Sequence, residues 1–352
     1  MMRRIWVAAT AAAALLCGPA SANDGFGGLT ATGLQFDKTG VVQMLSEDLY
    51  ISLKQVRVAY IFRHRGGADV TGEVIFPLPP VNLMSLRESD FAIDPDTLDK
   101  PNFVHFTVTV DGRAVPVKTD RIAVIEPDYD ENRPISEVYT APGRDVTAVL
   151  EKYGIPLSLR PETVGAVLAK LPKAAKDDLA AQGIIEVYEG AENGADPRWS
   201  IVERYHWTQT FAAGRDVKIA HSYDGAFPGG VFGWNAVTEP DSWQANLTKT
   251  YCIDGGTQKA IRKALRKSDG EESWYGMAYY IDYVLTTAKT WAGPIGDFRL
   301  TIDKGDPRNV ISLCVDGIKK TGPTTFVVEK KDFVPDRDLS ILLVPSVDTM
   351  PQ

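Results

Sequence analysis

An apolar–polar alternation with a period of two residues recurs along most of the chain and limits the folds that it can adopt. In the segment QVRVAYIF, one face of an extended strand would carry Val56, Val58, Tyr60 and Phe62. Another alternating run, FVHFTVTV, leads directly into Asp111-Gly112, a dipeptide that favours a tight hairpin turn. The pattern therefore predicts a mainly β protein of many short strands.

Proline and glycine mark where these strands end. The run VIFPLPP predicts a strand that stops at Pro77, since proline has no N–H to give to a sheet. In LTTAKTWAGPIGDFRLTID, alternating residues flank Gly293-Pro294, which predicts the turn of a hairpin. A phosphate-binding loop is disfavoured there, because a strand and not a helix follows. The runs WSIVERYHWTQTF and RDVKIAHSYD predict a further hairpin.

The middle of the chain has a different composition. Three short runs rich in Ala, Leu, Lys and Glu are separated by breaks at Gly154, Pro172 and Gly183, which predicts a small helical cluster. A chain of this length favours more than one domain. The expected organisation is a signal peptide (1–22), an N-terminal β domain (23–142), a helical insertion (143–190) and a C-terminal β domain (191–352). We expect two β-sandwich-like domains with a small α-helical insertion.

The first residues have the pattern of a cleaved secretory signal. Arg3 and Arg4 precede a short apolar run, and Ala20-Ser21-Ala22 fits the small-x-small cleavage rule. Lipidation at Cys17 is an alternative, although Leu16 stands where a small residue is usual. No later stretch is apolar enough to span a bilayer, so the sequence predicts no transmembrane segment in the mature chain.

After such cleavage two cysteines would remain, Cys252 and Cys314. An even number of cysteines in an oxidising compartment predicts one disulfide between them. Two buried free thiols are the alternative.

The charge balance disfavours nucleic-acid binding. The chain has 38 Lys and Arg against 46 Asp and Glu, a net charge of −8. DNA affinity depends on neutralising phosphates, so an acidic chain is poorly suited to it.

A local exception is a predicted amphipathic helix at 257–267. A solvated outer face is one interpretation of its basic residues, and contact with an anionic surface is the other. The set is Lys259, Arg262, Lys263, Arg266 and Lys267.

Aromatic residues of the C-terminal part supply the candidate ligand-binding set. Flat rings cover the apolar faces of sugars and peptides while their polar tips form hydrogen bonds, although a β-sandwich core also uses aromatics heavily. The candidates are Trp207, His221, Tyr223, Trp234, Trp243 and Trp291.

His206 and His221 would share one predicted hairpin, but the favoured register separates them. We therefore predict no metal site and no cofactor, and the sequence contains no recognisable catalytic motif.

A family resemblance adds to these expectations. The segments YVLTTAKTWAGPIGDFRLTIDKG, GEVIFPLPP and YHWTQTFAAGRDVKIAHSYD resemble a bacterial secreted family known as domain of unknown function 4424. The resemblance implies a periplasmic setting and a β-rich fold, but no reaction. We expect a non-catalytic binding or accessory module for an envelope protein or a glycan or lipid component. A hydrolase of cell-wall or glycan substrates is the alternative.

Overall fold

The structure is a computed structural model that describes residues 25–30, 33–36, 39–88, 93–128, 130, 133, 135–187, 194–270 and 272–349. The predicted signal peptide (1–22) lies outside these residues. Within the described part of the chain, 22 strands and seven helices form a mainly β protein, as the alternation predicts.

The strands have the following bounds in chain order: β1 Gly25–Thr30, β2 Gly33–Phe36, β3 Val42–Ser52, β4 Gln55–His64, β5 Val70–Pro77, β6 Val81–Asn82, β7 Thr107–Val110, β8 Arg113–Val115, β9 Lys118–Ile125, β10 Arg144–Asp145, β11 Ile185–Glu186, β12 Asp196–Pro197, β13 Ser200–Phe211, β14 Asp216–Asp224, β15 Gly229–Asn235, β16 Arg266–Lys267, β17 Ser273–Tyr283, β18 Ile295–Asp303, β19 Val310–Leu313, β20 Lys319–Lys320, β21 Thr325–Phe333 and β22 Leu339–Val344.

The helices are α1 Leu83–Glu88, α2 Ile135–Thr140, α3 Thr147–Lys152, α4 Pro161–Lys170, α5 Lys173–Ala181, α6 Trp243–Thr250 and α7 Gly255–Ala264. Helices α3 to α5 confirm the helical character predicted for the middle of the chain. Each buries apolar side chains that join the main core, among them Leu150, Val164 and Leu179. No helix in the described ranges is both long enough and apolar enough to cross a membrane.

Two large sheets enclose that main core. One has the strand order β10-β9-β13-β5-β1-β2, with β6 pairing β13; the other has the order β20-β21-β18-β3-β4-β14-β7-β8. Inward side chains of both meet in contacts such as Phe62 with Phe211, whose ring centroids are 5.8 Å apart. The predicted inward face of β4 is confirmed, since its four apolar residues are at most 2% exposed. The arrangement is sandwich-like.

A third sheet, β15-β17-β22-β19, forms a separate layer with its own core. Helices α6 and α7 pack on one face of it, and Ile261 of α7 belongs to the same buried cluster as Phe232 and Trp234 of β15. The predicted disulfide is confirmed within this layer. Cys252 and Cys314 are bonded with an S–S distance of 2.00 Å, which ties the segment between α6 and α7 to the end of β19.

Both long predicted hairpins are wrong. β13 pairs β5 and β9 in one large sheet, whereas β14 pairs β4 and β7 in the other, so the chain crosses between sheets after Phe211. Likewise β17 lies in the third sheet and β18 in the eight-stranded sheet. Gly293, with φ +74°, does provide a change of direction. Alternation fixes which face of a strand is buried but does not specify the partner strand.

The sheets also do not follow the predicted boundary at residue 191. Strand β18 pairs in parallel with β3, with Leu300 opposite Leu49, so the C-terminal part completes the N-terminal sheet. Strands β13 and β14 likewise pair with strands before residue 143. The shorter prediction at Asp111-Gly112 is confirmed: Val110 pairs Arg113 across that turn.

Candidate functional site

An apolar cavity lies where the end of β5, the segment after β14, β17 and α2 meet. Its volume is about 120 Å³. Seven lining side chains are aromatic, and Asp282 is the one charged residue among those that line it. The aromatic set is Phe76, Phe103, Tyr139, Tyr223, Phe227, Tyr280 and Tyr283.

The FPLP segment forms one wall of the cavity, and proline explains why it leaves the sheet there. Pro77 is the last residue of β5 and pairs Arg204 of β13. Leu78 still donates its N–H to the Glu203 carbonyl at 2.8 Å, which holds the segment close to β13. Proline fixes the backbone φ angle, so Pro77 and Pro79 give the cavity a rigid edge.

The opposite wall depends on a close backbone approach at Gly225. Its N–H bonds the Lys54 carbonyl at 2.9 Å. A Cβ atom added to Gly225 would lie only 2.2 Å from the carbonyl oxygen of Leu53, so any side chain would push this segment outward. Because Ala226 and Phe227 follow directly and line the cavity, glycine sets their position.

Asp282 supplies the charge of the cavity. It lies on β17 opposite Ser340 of β22, and part of its surface faces the cavity. Burial raises the pKa of Asp282 to about 6, aided by the nearby negative charge of Asp338, while a hydrogen bond with Ser340 acts in the opposite direction. At pH 7 the carboxylate is mostly ionised, because this pKa lies below 7. The cavity therefore presents a negative group among aromatic rings.

Tyr139 closes the side of the cavity formed by α2. Its hydroxyl donates to the backbone carbonyl of Asp282 at 3.4 Å. Burial raises the pKa of Tyr139 well above its ordinary value, and burial also raises that of Tyr280. Both phenols are therefore neutral hydrogen-bonding groups near physiological pH.

Only one member of the predicted aromatic set lines this cavity, namely Tyr223. Trp207 and Trp291 are buried in the main core, and Trp234 is buried in the core of the third sheet. Trp243 is 51% exposed at the start of α6. The structure thus distributes the set over two cores and the surface instead of one cleft. Three of the tryptophans therefore pack as core residues.

The two histidines of the predicted hairpin, His206 and His221, also lie in different sheets. His206 of β13 is buried, and its Nδ1 lies 2.8 Å from the Glu73 carboxylate. His221 of β14 packs against Phe76 and Phe106, with ring centroids 4.9 and 5.2 Å apart. Because β13 and β14 belong to different sheets, the predicted pairing between them does not exist. Across the described ranges, no three His, Cys, Asp or Glu side chains are grouped so that they could hold a metal ion.

The five basic residues do not form one helical face. Helix α7 ends at Ala264, so Arg266 and Lys267 belong to strand β16. Arg262 donates to the Ala236 carbonyl at 2.8 Å and lies 5.2 Å from the Trp274 ring centroid. Lys267 pairs Glu272 at 3.2 Å. Lys259 and Lys263 remain exposed on α7. The helix therefore offers fewer exposed basic residues to an anionic surface than the sequence pattern predicts.

Sequence reasoning missed Asp282 and Tyr139. A signal for Asp282 does exist, because the run AYYIDYVL contains a single acidic residue in an otherwise apolar strand. A polar residue in such a position is buried with a partner or faces a functional cavity. Tyr139 offers no comparable signal, since helix α2 has only six residues and no amphipathic repeat.

Comparisons with known proteins give a family but no activity. No curated protein matches the sequence. A crystal structure from Legionella pneumophila subsp. pneumophila str. Philadelphia 1, described as a "putative nutrient binding protein", aligns over 92% of this chain and 72% of its own, with a TM-score of 0.41 and 15% identity. A likeness at that level supports no argument about this chain.

A family model described as "Domain of unknown function (DUF4424)" matches residues 22–342. That range includes strands β1 to β21, the first part of β22, the helical cluster and every residue that lines the cavity. The match extends over most of the chain, and the protein therefore belongs to the DUF4424 family.

Proposed function

We propose that the protein is a non-catalytic binding protein whose cavity holds a small organic cation, an ammonium group attached to an aromatic ring or a short apolar chain. The supporting observation is the position of Asp282 within a wall of seven aromatic side chains. An ionised carboxylate attracts a cation directly. Aromatic rings attract it further through the negative potential of their faces, and such cages suit alkylammonium groups.

The size of the cavity limits the ligand. An apolar protein cavity of about 150 Å³ holds one benzene molecule. A cavity of about 120 Å³ would therefore accept one ring or a short alkyl chain beside the carboxylate. A larger molecule would insert only its amine-bearing end. An amine-bearing envelope component or a cationic side chain of a partner protein has this chemistry.

The proposed location is the bacterial periplasm. The signal-like sequence at 1–22 supports secretion. The Cys252–Cys314 disulfide supports an oxidising compartment, where such bonds persist.

Binding of three ring-sized probes tests the proposal: benzylamine, benzyl alcohol and toluene, each titrated calorimetrically at pH 7.5 and pH 5. We expect benzylamine to bind most tightly at pH 7.5, because a charge-assisted hydrogen bond contributes about 1.5–3 kcal/mol, or about 10- to 100-fold in affinity. The preference should shrink at pH 5, since Asp282 then takes up a proton.

The Asp282→Asn variant keeps the shape of the cavity and removes its charge. It should bind benzyl alcohol as the native protein does, and should lose the preference for benzylamine. Asp254→Asn is the matched control, because Asp254 caps α7 on the surface and does not line the cavity. Equal affinity of the native protein for the amine and the alcohol would refute cation binding. Failure of all three probes to bind would refute a ligand role for the cavity.

A further inference from the structure

One edge of the third sheet is open. Among the described strands, β15 pairs only with β17, so its other side has no neighbouring strand. Its sequence, GGVFGWN, contains three glycines. Glycine inside a strand often marks a place where another backbone approaches closely. Free edges are usually protected by charged residues, proline or a bulge, and β15 has none of these.

The backbone hydrogen bonds show which groups of β15 point outward. Just after the strand, the Ala236 N–H donates to the Glu272 carbonyl at 2.8 Å. Alternate residues of an antiparallel strand bond the same neighbour, so the even-numbered residues of β15 bond β17. The N–H and C=O groups of Gly229, Val231 and Gly233 therefore point away from the sheet. None of these groups has a hydrogen-bond partner within the part of the chain that the structure describes.

Asn235 limits the length of this free stretch. Its N–H donates to the side-chain oxygen of Gln244 at 2.8 Å, and its carbonyl accepts from the side-chain nitrogen of Gln244 at 3.3 Å. A glutamine side chain thus takes the place of a neighbouring strand at Asn235. Because β15 begins at Gly229, the free stretch runs from Gly229 to Gly233, with Val231 at its centre. We call this stretch the β15 edge.

Exposed apolar side chains gather around the β15 edge. Six large apolar side chains are exposed among the described residues, and four of these belong to β15, β17 or the segment that joins β15 to α6. The four are Val231 (86% exposed), Val237 (66%), Trp243 (51%) and Tyr275 (46%). Tyr275 lies opposite Gly233 in register, and the Trp243 ring centroid lies 5.6 Å from that of Phe232. Contiguous exposed apolar groups mark a protein contact.

The charge pattern favours a second copy of the chain as the occupant. Residues 229–238 and 273–281 contain no Asp, Glu, Lys or Arg. The whole chain has a net charge of −8, which makes two copies repel each other in general. At this neutral edge two copies can approach without that repulsion. A charged peptide, by contrast, finds no residue of opposite charge in either segment.

We propose that two copies of the chain associate through the β15 edge, antiparallel about a two-fold axis at Val231. Gly229 of one copy then lies opposite Gly233 of the other, and the two Val231 residues lie opposite each other. The outward N–H and C=O groups gain partners in about six hydrogen bonds. The third sheets of both copies become one continuous sheet, through an interface that uses the same surface twice.

This arrangement keeps the nearest acidic residues apart. Glu239 and Asp241 are exposed in the segment that follows β15. With Val231 at the two-fold axis, the position opposite Asn235 is occupied by residue 227 of the other copy. The two Asn235 residues are therefore eight positions apart along the strands, or ~27 Å at about 3.4 Å per residue. Salt screens charges at that distance, so the carboxylates of the two copies do not oppose pairing.

The expected dimer is small and reversible. A specific interface buries at least about 1,000 Å² in total. A covered aromatic ring buries about 150–250 Å², so the exposed halves of Trp243 and Tyr275 in both copies contribute roughly 300–500 Å². The exposed valines and the paired backbone add to this area. The dimer is therefore at the low end of the range and should dissociate on dilution.

Sedimentation equilibrium from low to high micromolar concentration tests the proposal. We expect the native protein to pass reversibly from monomer to dimer. Val231→Lys should weaken the dimer about tenfold, because two like charges would lie directly opposite each other. Val231→Glu should weaken it similarly, and an equimolar mixture of the two variants should recover the dimer. Val334→Lys is the matched control, since Val334 is 59% exposed after β21, and it should dimerise as the native protein does.

The two substitutions at Val231 spare the single copy, because this side chain is 86% exposed and its N–H does not bond β17. Thermal unfolding would confirm that each variant is folded. A native protein that stays monomeric at every concentration would refute the proposal and leave the edge to a strand of another protein. A dimer that Val231→Lys does not weaken, or that Val334→Lys weakens equally, would refute this interface. Weakening in both Val231 variants without recovery in their mixture would refute the register centred on Val231.

Discussion

Replacing Asp282 by asparagine is expected to stabilise the protein at neutral pH, and the gain should disappear in acid. The folded state holds the pKa of Asp282 at about 6, against an ordinary value of 3.8. The folded carboxyl therefore keeps its proton over a pH range in which the unfolded chain has already lost it. Consequently the free energy of unfolding falls as pH rises from about 4 to about 6, and the loss is complete above that window.

The size of the effect follows from the same two values. Each pKa unit corresponds to 1.36 kcal/mol, so the ionised carboxylate costs the folded state about 3 kcal/mol at pH 7.5. Asparagine has nearly the same shape, and its side-chain oxygen can accept the hydrogen bond that Ser340 offers. The variant should be about 3 kcal/mol more stable at pH 7.5 and equal in stability near pH 3.5.

Urea unfolding followed by tryptophan fluorescence between pH 3.5 and 7.5 would measure this difference. Asp254→Asn is the control, because the backbone N–H of Thr257 lowers the pKa of Asp254. That native carboxylate stabilises the folded state at neutral pH, so its replacement should give a change with pH of the opposite sign. If Asp282→Asn were no more stable than the native protein at pH 7.5, or if the difference did not vary between pH 4 and 6, the reasoning would be refuted.

Three further predictions concern the scaffold. Arg121→Leu should destabilise the protein by about 3 kcal/mol in urea unfolding, because it leaves the buried Glu203 carboxylate without its cation; an unchanged midpoint would contradict this. Replacing Cys252 and Cys314 by serine should cost up to about 4 kcal/mol for a loop of 62 positions, measured against the oxidised native protein. Trp207→Ala should lower stability by about 3–5 kcal/mol, since Trp207 is 1% exposed in the main core; selective loss of ligand with native stability would show that it belongs to a binding site.

The sequence predicts the local structure of this protein better than it predicts the sheet topology. Alternation identified the buried face of β4, and proline identified the end of β5. The two long hairpins failed because a strand with one apolar face can pair in any sheet that buries that face. The short segment after Phe211 was expected to be a hairpin turn, yet it carries the chain between two sheets. Nothing in its residues distinguishes these outcomes.

The candidate cavity was beyond sequence reasoning for a related reason. Its walls come from segments far apart in the chain, the FPLP segment, the turn after Tyr223 and strand β17, which only the sheet topology brings together. Trp207 and Trp291 have the residue type of ligand-binding side chains, but they fill the core between the sheets. Residue type predicts the chemistry that a side chain can perform, whereas burial decides whether a ligand can reach it.

A comparison of the Glu203 and Asp282 carboxylates shows why Asp282 is the stronger candidate for a functional role. Glu203 accepts hydrogen bonds from Arg121 and from Tyr205, so protein groups satisfy it on both oxygens. Asp282 has instead a hydrogen bond with Ser340, the repulsion of Asp338 and a surface open to the cavity. Under the proposed function, a bound cation would give this carboxylate a partner of opposite charge. Because that cation would favour the ionised form, binding should lower the pKa of Asp282 and recover part of the stability that burial of its charge costs.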